Sequence, residues 1–371
     1  MNITLVISSL SCGGAERVSV LLAEGFVAKG HQVTLITIAG KERDFYKLSP
    51  KVSRLALNIA GASHNAMQAL RNNLHRCLVL RKAIKSTNPD LVISHLVATN
   101  LLTILSLLKT NLPTIITEHS YGREKSDKRK KYTLRKLVYK YANKLVSVSK
   151  ELDQSFQWLN PNKRVVIYNP IVKIPENDLI EDHVLHNLGI DSHKNWITSM
   201  GRLTKQKGFD ILISAFSKIA HKYPDWQILI IGEGHLKSEL LALINKLNLS
   251  AQVVLVGRLS NPFPVLKKSE LFVMASRWEG FPMVHCEALA CGLPVIATDC
   301  PTGPKEIIRH NVDGVLVPNE DSEALATAME NLMSNSEERQ RLASRATEVN
   351  KRFALEKILQ DWEKLFENVS K

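Results

Sequence analysis

A chain of 371 residues, with 44% hydrophobic and 23% charged residues, is too long for one ordinary core and points to two globular domains. Its five cysteines (Cys12, Cys77, Cys286, Cys291, Cys300) are odd in number and contain no C-x-x-C pair. That argues against a disulfide framework or structural zinc and for a reducing compartment, while a formal charge of +13 calls for a polyanionic partner.

Asn2 to Ser9 reads as a buried strand, followed by Ser11-Cys-Gly-Gly-Ala-Glu-Arg17 and helically spaced Val18, Leu21, Leu22 and Phe26. The opening MNITLVISSLSCGG lacks the basic segment of a signal peptide, so none is expected. Strand, glycine turn and helix make the first unit of a doubly wound α/β fold. Gly13 and Gly14 would let the backbone approach a phosphate or sugar, or simply make a tight turn. The turn is not G-x-G-x-x-G, which weakens a dinucleotide reading.

Residues 31–38 form the next predicted strand, 41–62 a short strand and loop, and then a helix rich in Arg71, Arg76, Arg81, Lys82 and Lys85. Asp90 to His95 is another strand, Asn100 to Lys109 a helix, and Pro113 to Glu118 a strand carrying His119 and Ser120 at its carboxyl end. Ligands of α/β sheets bind at that edge, which makes His119 a site candidate. The apolar region 91–112 is broken by His95, Asn100 and Lys109, so no transmembrane helix is expected.

Residues 123–144 hold ten Lys or Arg against two acids, with Leu134, Leu137, Val138 and Tyr141 as an apolar stripe. The interleaved Tyr132, Tyr139 and Tyr141 suit an anionic membrane interface; a solvated face is the alternative. Residues 1–182 carry 27 basic and 14 acidic residues, whereas 183–371 carry 22 of each. The excess charge is therefore confined to the first half. Nucleic acid would satisfy the same charge, but the chain contains no recognisable nucleic-acid module, and none is expected as partner. Lys144 to Val148 and Val165 to Ile167 complete the first domain, and Asn169-Pro-Ile-Val-Lys-Ile-Pro175 reads as a linker.

The second domain is expected from near Ile180. Its first strand, Trp196 to Met200, runs into Gly201-Arg202-Leu203-Thr204-Lys205-Gln206-Lys207-Gly208. A helix over 210–221, strands over 227–231 and 253–257 followed by Arg258, and a helical segment over 335–371 are also predicted. Leu271 to Ala275 reads as a buried strand, Arg277 to Phe281 as a turn, and Pro282 as the first residue of a helix ending near Cys291, with Gly292 after it. Free amides around Phe281 to Val284 make an anion site. Glu279 in the turn and Glu287 in the helix offer carboxylates to the vicinal hydroxyls of a ribose or sugar. Phosphate between two such carboxylates describes a nucleotide-sugar.

Glu279-Gly280-Phe281-Pro282-Met283-Val284-His285-Cys286-Glu287 resembles the Glu–seven residues–Glu signature of the retaining glycosyltransferases of family 4. That resemblance covers essentially the whole chain. It implies a GT-B fold: two Rossmann-like domains facing each other across a cleft. The implied division is an acceptor domain over 1–172, a nucleotide-sugar domain over 173–350, and a helix over 351–371 crossing back onto the first. By the same resemblance Arg202 and Lys207 clamp the donor diphosphate, His119 and Glu279 meet the donor sugar, Glu287 meets the ribose, and Arg258 lies near the base. Gly13, Gly14, Gly280, Phe281, Pro282 and Met283 complete the implied nucleotide-sugar site.

The family works without metal, and no D-x-D occurs here. Enzymes of this kind extend saccharides on undecaprenyl diphosphate at the cytoplasmic face of the inner membrane. A UDP-linked donor, a lipid-diphosphate-linked acceptor and an anionic membrane surface are accordingly the expected partners. Two rivals share the motifs: a nucleotide-sugar epimerase of the same fold, and a non-catalytic binding protein of the membrane surface.

Overall fold

Runs of Val, Ile and Leu without polar alternation call for sheets covered on both faces. The computed structural model describes residues 1–61, 64–120, 128–171, 174, 185 and 188–369, the side chains of 128–132 excepted, and contains two such sheets. They belong to two units, Met1–Pro170 with Phe353–Lys371, and Ile171–Arg352. Each unit is a parallel-sheet, Rossmann-like domain.

In the first unit the strands are β1 (Asn2–Ile7), β2 (Gln32–Thr37), β3 (Ser53–Ala56), β4 (Leu91–His95), β5 (Thr114–Glu118), β6 (Lys144–Ser147) and β7 (Arg164–Val166). They pair in parallel in the order β3-β2-β1-β4-β5-β6-β7. The sheet grows outward from β1 in one direction, then from β4 in the other. Helices α1 (Gly14–Ala28), α2 (Ala66–Ser86), α3 (Val97–Leu107), α4 (Lys128–Tyr139) and α5 (Lys150–Gln154) make the crossovers. Asn65 caps α2 by accepting from the Gln68 amide at 2.8 Å.

Two expectations change here. Tyr139 and Val138 of α4 are buried, so the apolar stripe expected along that segment splits: Leu134, Leu137 and Tyr141 stay exposed while Val138 and Tyr139 enter the core. Arg135 lies with its Nη2 3.2 Å from the buried Glu118 carboxylate and is not a surface charge. Residues 121–127, and the side chains of Lys128, Arg129, Lys130, Lys131 and Tyr132, lie outside the described residues. So do Val172, Lys173 and Pro175 of the expected linker and the expected domain start near Ile180. Among the described residues no helix is long and apolar enough to cross a membrane.

The second unit contains β8 (Asn195–Met200), β9 (Trp226–Ile231), β10 (Val253–Gly257), β11 (Leu271–Met274), β12 (Val295–Thr298) and β13 (Gly314–Val317), in the order β10-β9-β8-β11-β12-β13. Its helices are α6 (Phe209–Ser217), α7 (Lys237–Lys246), α8 (Phe263–Lys268), α9 (Met283–Ala290), α10 (Pro304–Ile307), α11 (Ser322–Ser334), α12 (Ser336–Ala346) and α13 (Val349–Arg352). The sheet again reverses its direction of growth, between β8 and β11. Gly208, at φ +64°, fits against the end of β11: an added Cβ would fall 1.8 Å from the Ala275 carbonyl oxygen. The α9 helix begins one residue later than expected. Pro282 has ψ +97°, an extended value, and serves as the cap.

A last helix, α14 (Leu355–Val369), belongs to the first unit and buries Ile358, Leu359, Trp362, Leu365 and Phe366. Phe26 of α1 meets the rings of Trp362 and Phe366 at centroid distances of 6.0 and 5.2 Å. His31 Nε2 lies 2.8 Å from Glu363 Oε1 beside them. Gly25 leaves room for Leu359, whose Cδ1 would lie 2.8 Å from an added Cβ. Trp362→Ala is expected to destabilise the first unit by about 3–5 kcal/mol through the cavity it leaves. The exposed control Glu356→Ala should stay within about 0.5 kcal/mol. Urea unfolding of the two variants checks this, and equal midpoints would refute the packing account.

Candidate functional site

Where a parallel sheet reverses its direction of growth, the loops leaving the two adjacent strands diverge and open a crevice at their carboxyl ends. In the second unit those loops are Gly201–Gly208 after β8 and Ala275–Pro282 after β11. They are fastened to each other at several points. Lys207 Nζ donates to Glu279 Oε1 at 2.7 Å, and Ser276 Oγ donates to the same oxygen at 2.7 Å. Gln206 Nε2 donates to the Trp278 carbonyl at 3.0 Å, and the Arg277 amide donates to the Gln206 carbonyl at 2.8 Å. The side chains of Lys207 and Glu279 are only 13% and 7% exposed, so the pair is largely desolvated.

Arg277 braces the same turn. Its guanidinium donates to both carboxylate oxygens of Asp210, at 2.9 and 2.6 Å, to the Lys205 carbonyl at 2.7 Å, and to Glu320 at 2.7 Å. Burial alone would raise the Asp210 carboxyl, but hydrogen bonds and charge from Arg277 outweigh it and hold it below its usual value. From the other side the Glu279 amide donates to the Pro301 carbonyl at 2.8 Å, and Thr302 Oγ1 donates to the Glu279 carbonyl at 2.9 Å. Thr298 Oγ1 donates to the Ser276 carbonyl at 2.6 Å. The turn is therefore held from several sides.

Gly280, Phe281, Pro282 and Met283 are buried as the turn enters α9. Glu287, one turn further, is 3% exposed. Burial, with the Glu287 charge adding to it, pushes the Cys291 thiol up to about 12 and raises that of Cys286. His285 is fully buried, neither ring nitrogen has a hydrogen-bond partner among the described residues, and burial pushes it down to about 3, with the Lys207 charge adding to the effect. It is a neutral core histidine. Arg202 lies exposed on the β8 loop. Arg258 follows β10 and forms a surface pair with Glu233 at 3.0 Å, both about half exposed.

In the first unit the corresponding reversal lies between β1 and β4. Gly13 precedes α1 at φ −167°, an extended value open to any residue, and an added Cβ would meet only the Glu16 side chain. The backbone angle at Gly13 does not itself demand glycine, and Gly14 starts the helix; the expected close approach of a phosphate or sugar would turn on space rather than on that angle. His119 follows β5 and packs against His95 at the end of β4, with Thr117 contacting both rings. Behind it Glu118 is fully buried. Its Oε1 accepts from the Tyr139 hydroxyl and from Asn100 Nδ2 at 3.4 Å. Burial raises this carboxyl despite the opposing charge of Arg135.

Of the expected residues, Lys207 and Glu279 are joined directly, Arg202 lies on the same loop, and Glu287 sits on the helix that the turn begins. Ser276, Gln206, Thr302 and the bracing role of Arg277 were not foreseen. Ser276 is the first polar residue after the apolar run of β11, which is a usable local signal. The partners of Arg277 and Thr302 lie far off in sequence and give none.

Residues 182–349 match the family described as glycosyl transferases group 1, and residues 12–172 match glycosyltransferase family 4. The chain is 32% identical over 341 residues to an uncharacterized glycosyltransferase of Methanocaldococcus jannaschii, covering 79% of this chain and 83% of that protein. It is 28% identical, over 100% of its length and 99% of the relative's, to a Campylobacter jejuni protein. That relative is named a GalNAc-alpha-(1->4)-GalNAc-alpha-(1->3)-diNAcBac-PP-undecaprenol alpha-1,4-N-acetyl-D-galactosaminyltransferase. Among solved structures, Anabaena HepE in complex with UDP superposes with a TM-score of 0.76 at 19% identity, covering 99% of this chain and 100% of that one.

The Lys207–Glu279 pair makes a stability prediction of its own. Lys207→Ala leaves a nearly buried carboxylate with the Ser276 hydroxyl as its remaining partner among the described residues and should cost about 3 kcal/mol. In a double-mutant cycle, adding Glu279→Gln should restore at least about 1 kcal/mol of that loss. Strictly additive losses in denaturant unfolding would show that the two side chains do not interact.

Proposed function

Because the chain belongs to the GT-B glycosyltransferases, with a family 4 domain followed by a group 1 domain, we propose that it moves a hexose or N-acetylhexosamine from a UDP-sugar to a saccharide on a polyprenyl diphosphate. Transfer is read as retaining and metal-independent. The observation that carries the reading is the Lys207–Glu279 pair at the crevice of the second sheet. Support for the donor comes from UDP in the Anabaena structure, and for the acceptor from the name of the Campylobacter relative.

The roles follow from donor and acceptor capacity. An ammonium has three N–H donors, so Lys207 can hold Glu279 with one and turn the others to a diphosphate. Arg202, exposed on the same loop, adds a second cation. As the glycosidic bond breaks the departing UDP gains charge, and fixed cations with the free amides at the start of α9 stabilise it. Glu279 gathers Lys207 and Ser276 on Oε1, which turns Oε2 to the hydroxyls of the donor sugar. Glu287 accepts from the ribose diol. The acceptor hydroxyl attacks from the face the diphosphate leaves, through an oxocarbenium-like state, and the departing phosphate takes its proton.

A lipid-linked acceptor needs a membrane-facing surface, and α2 has the form of one. Met67, Leu70, Leu74 and Leu78 are 83%, 74%, 61% and 61% exposed, at spacings that put them on one face. Exposed Arg71, Lys82 and Lys85 flank that face, and α2 contains no acidic residue. The neighbouring α3 and α4 add exposed Leu105, Leu134 and Leu137. Apolar side chains set among cations fit the boundary between anionic headgroups and acyl chains. The docking face is thus read chiefly on α2, a helix whose sequence stands out for its arginines and lysines rather than for its apolar residues.

Incubation with UDP- and GDP-sugars and polyprenyl-diphosphate saccharides, followed by mass spectrometry, tests the activity. Conversion of a UDP-sugar to its epimer without acceptor would overturn it in favour of an epimerase. Arg202→Ala and Lys207→Ala should each cost about 2–4 kcal/mol of transition-state stabilisation. Glu287→Gln should weaken UDP binding by calorimetry, while Glu279→Gln should mainly lower kcat. Equal losses of UDP affinity would mean that the two roles are wrongly divided. Leu70→Glu with Leu74→Glu and Leu78→Glu should abolish sedimentation with anionic vesicles and leave UDP affinity intact. If the triple variant instead turns a dimer into a monomer and still sediments, the stripe is a self-association face.

A further inference from the structure

The exposed apolar face of α2 runs into a cationic groove. Steps of three and four from Met67, Leu70, Leu74 and Leu78 lead to Arg81 and then Lys85 on the same face of the helix. Both line a groove of about 510 Å³, to which the turn between α3 and β5 contributes Lys109, Thr110 and Leu112. Pro89 and Leu112 give the groove an apolar lining beneath its charges. The same turn borders an adjoining hollow of about 260 Å³, where Asn111, Asn143 and Tyr141 offer uncharged polar groups beside Leu108. Groove and hollow lie at the amino edge of the first sheet, where α2 leads into β4 and α3 into β5.

We propose that the groove is a binding site for the phosphate of an anionic phospholipid, held by Arg81, Lys85 and Lys109. The glycerol and ester oxygens next to that phosphate fall to the adjoining hollow. This deepens the docking face read on α2, adding one defined headgroup contact where the apolar face ends. The membrane role rests on that reading; the phosphate site does not.

The cations are set in place rather than scattered. Arg81 is half-buried, and its Nη1 donates to the Leu108 carbonyl at 3.3 Å, which seats the guanidinium against the turn. A guanidinium has five N–H donors, so most remain for phosphate oxygens. Lys109 has φ +62°, a left-handed backbone that residues other than glycine adopt uncommonly. The turn around it is closed by the Thr110 amide and Oγ1, which donate to the Leu107 carbonyl at 3.0 and 2.7 Å.

Basic residues beside the carboxyl ends of helices can serve merely to offset the helix dipole, and both α2 and α3 end beside the groove. Each such end carries about half a negative charge, so three cations leave an excess of about two. Among the described residues no Asp or Glu lines the groove or the hollow. Asp90, close in sequence, already accepts from the Asn2 amide at 2.8 Å. An anion is therefore called for. The apolar lining, and the exposed apolar face that leads to it, favour one with an acyl tail over inorganic phosphate.

Calorimetry with dihexanoyl phosphatidylglycerol, below its micelle concentration, tests the site on the full chain without a membrane. Saturable binding of one lipid per chain is expected. Dihexanoyl phosphatidylcholine and inorganic phosphate should each bind at least about tenfold more weakly. Lys85→Gln with Lys109→Gln should lower the affinity about thirtyfold, at about 1 kcal/mol per cation. Lys29→Gln with Lys51→Gln makes the same charge change on exposed residues outside the groove and should leave it unaltered. Equal losses in the two double variants would mean diffuse attraction and overturn the proposal, as would the absence of saturable binding. Inorganic phosphate binding as tightly as the lipid would overturn the lipid assignment. Leu70→Glu, about three turns from Arg81, should weaken sedimentation with phosphatidylglycerol vesicles but spare the soluble lipid. If sedimentation survives that change, the docking face on α2 fails, and the calorimetry alone decides the groove.

Discussion

The Lys207–Glu279 ion pair is the contact on which the arrangement of the second unit's crevice depends. It joins two loops that leave neighbouring strands at the reversal of the sheet. A nearly buried pair of this kind adds little net stability over an apolar contact, because desolvating two charges offsets their attraction. Its value lies in position. An ammonium held at 2.7 Å from one carboxylate oxygen, with Ser276 on the same oxygen, is already placed when an anion arrives. The side-chain entropy of ordering a lysine has been met in folding, so a ligand need not supply it.

Much of the fold was legible because the cues are local. Each strand is a short apolar run, and each βα turn of the second unit shows glycine or proline where the backbone requires them, as at Gly208. The Arg202–Gly208 and Glu279–Glu287 segments were legible for the same reason: each is a continuous stretch following a strand. Their junction was not. Lys207 and Glu279 are 72 positions apart, and Arg277 and Asp210 are 67 apart. Nothing in the composition of either loop states which cation meets which acid.

The misreadings on the first unit have a single cause: helical spacing gives the faces of a helix but not which face is inward. In 123–144 the basic background suggested that tyrosines and leucines together face a membrane. The sheet instead takes Tyr139 and Val138, and Arg135 turns inward because Glu118 lies buried at the end of β5. In α2 the reverse holds. Leu80 and Ile84 suffice for the core contact, which leaves Met67, Leu70, Leu74 and Leu78 uncovered. A helix with apolar residues on more than one face has an excess that only the fold can reveal.

The two units manage buried charge by opposite means, and the difference follows from their neighbours. In the second unit the buried cations of the crevice are paired, Lys207 with Glu279 and Arg277 with Asp210 and Glu320. In the first unit the buried titratable groups near the sheet edge are kept neutral or shared. His95 and His119 lose their protons to burial, and Glu118 divides Arg135, Tyr139 and Asn100 on one oxygen. A neutral histidine can accept from a hydroxyl without attracting a diphosphate, whereas the lysine–carboxylate pair does the converse. Paired charges and neutral, buried titratable groups are thereby kept in different sheets.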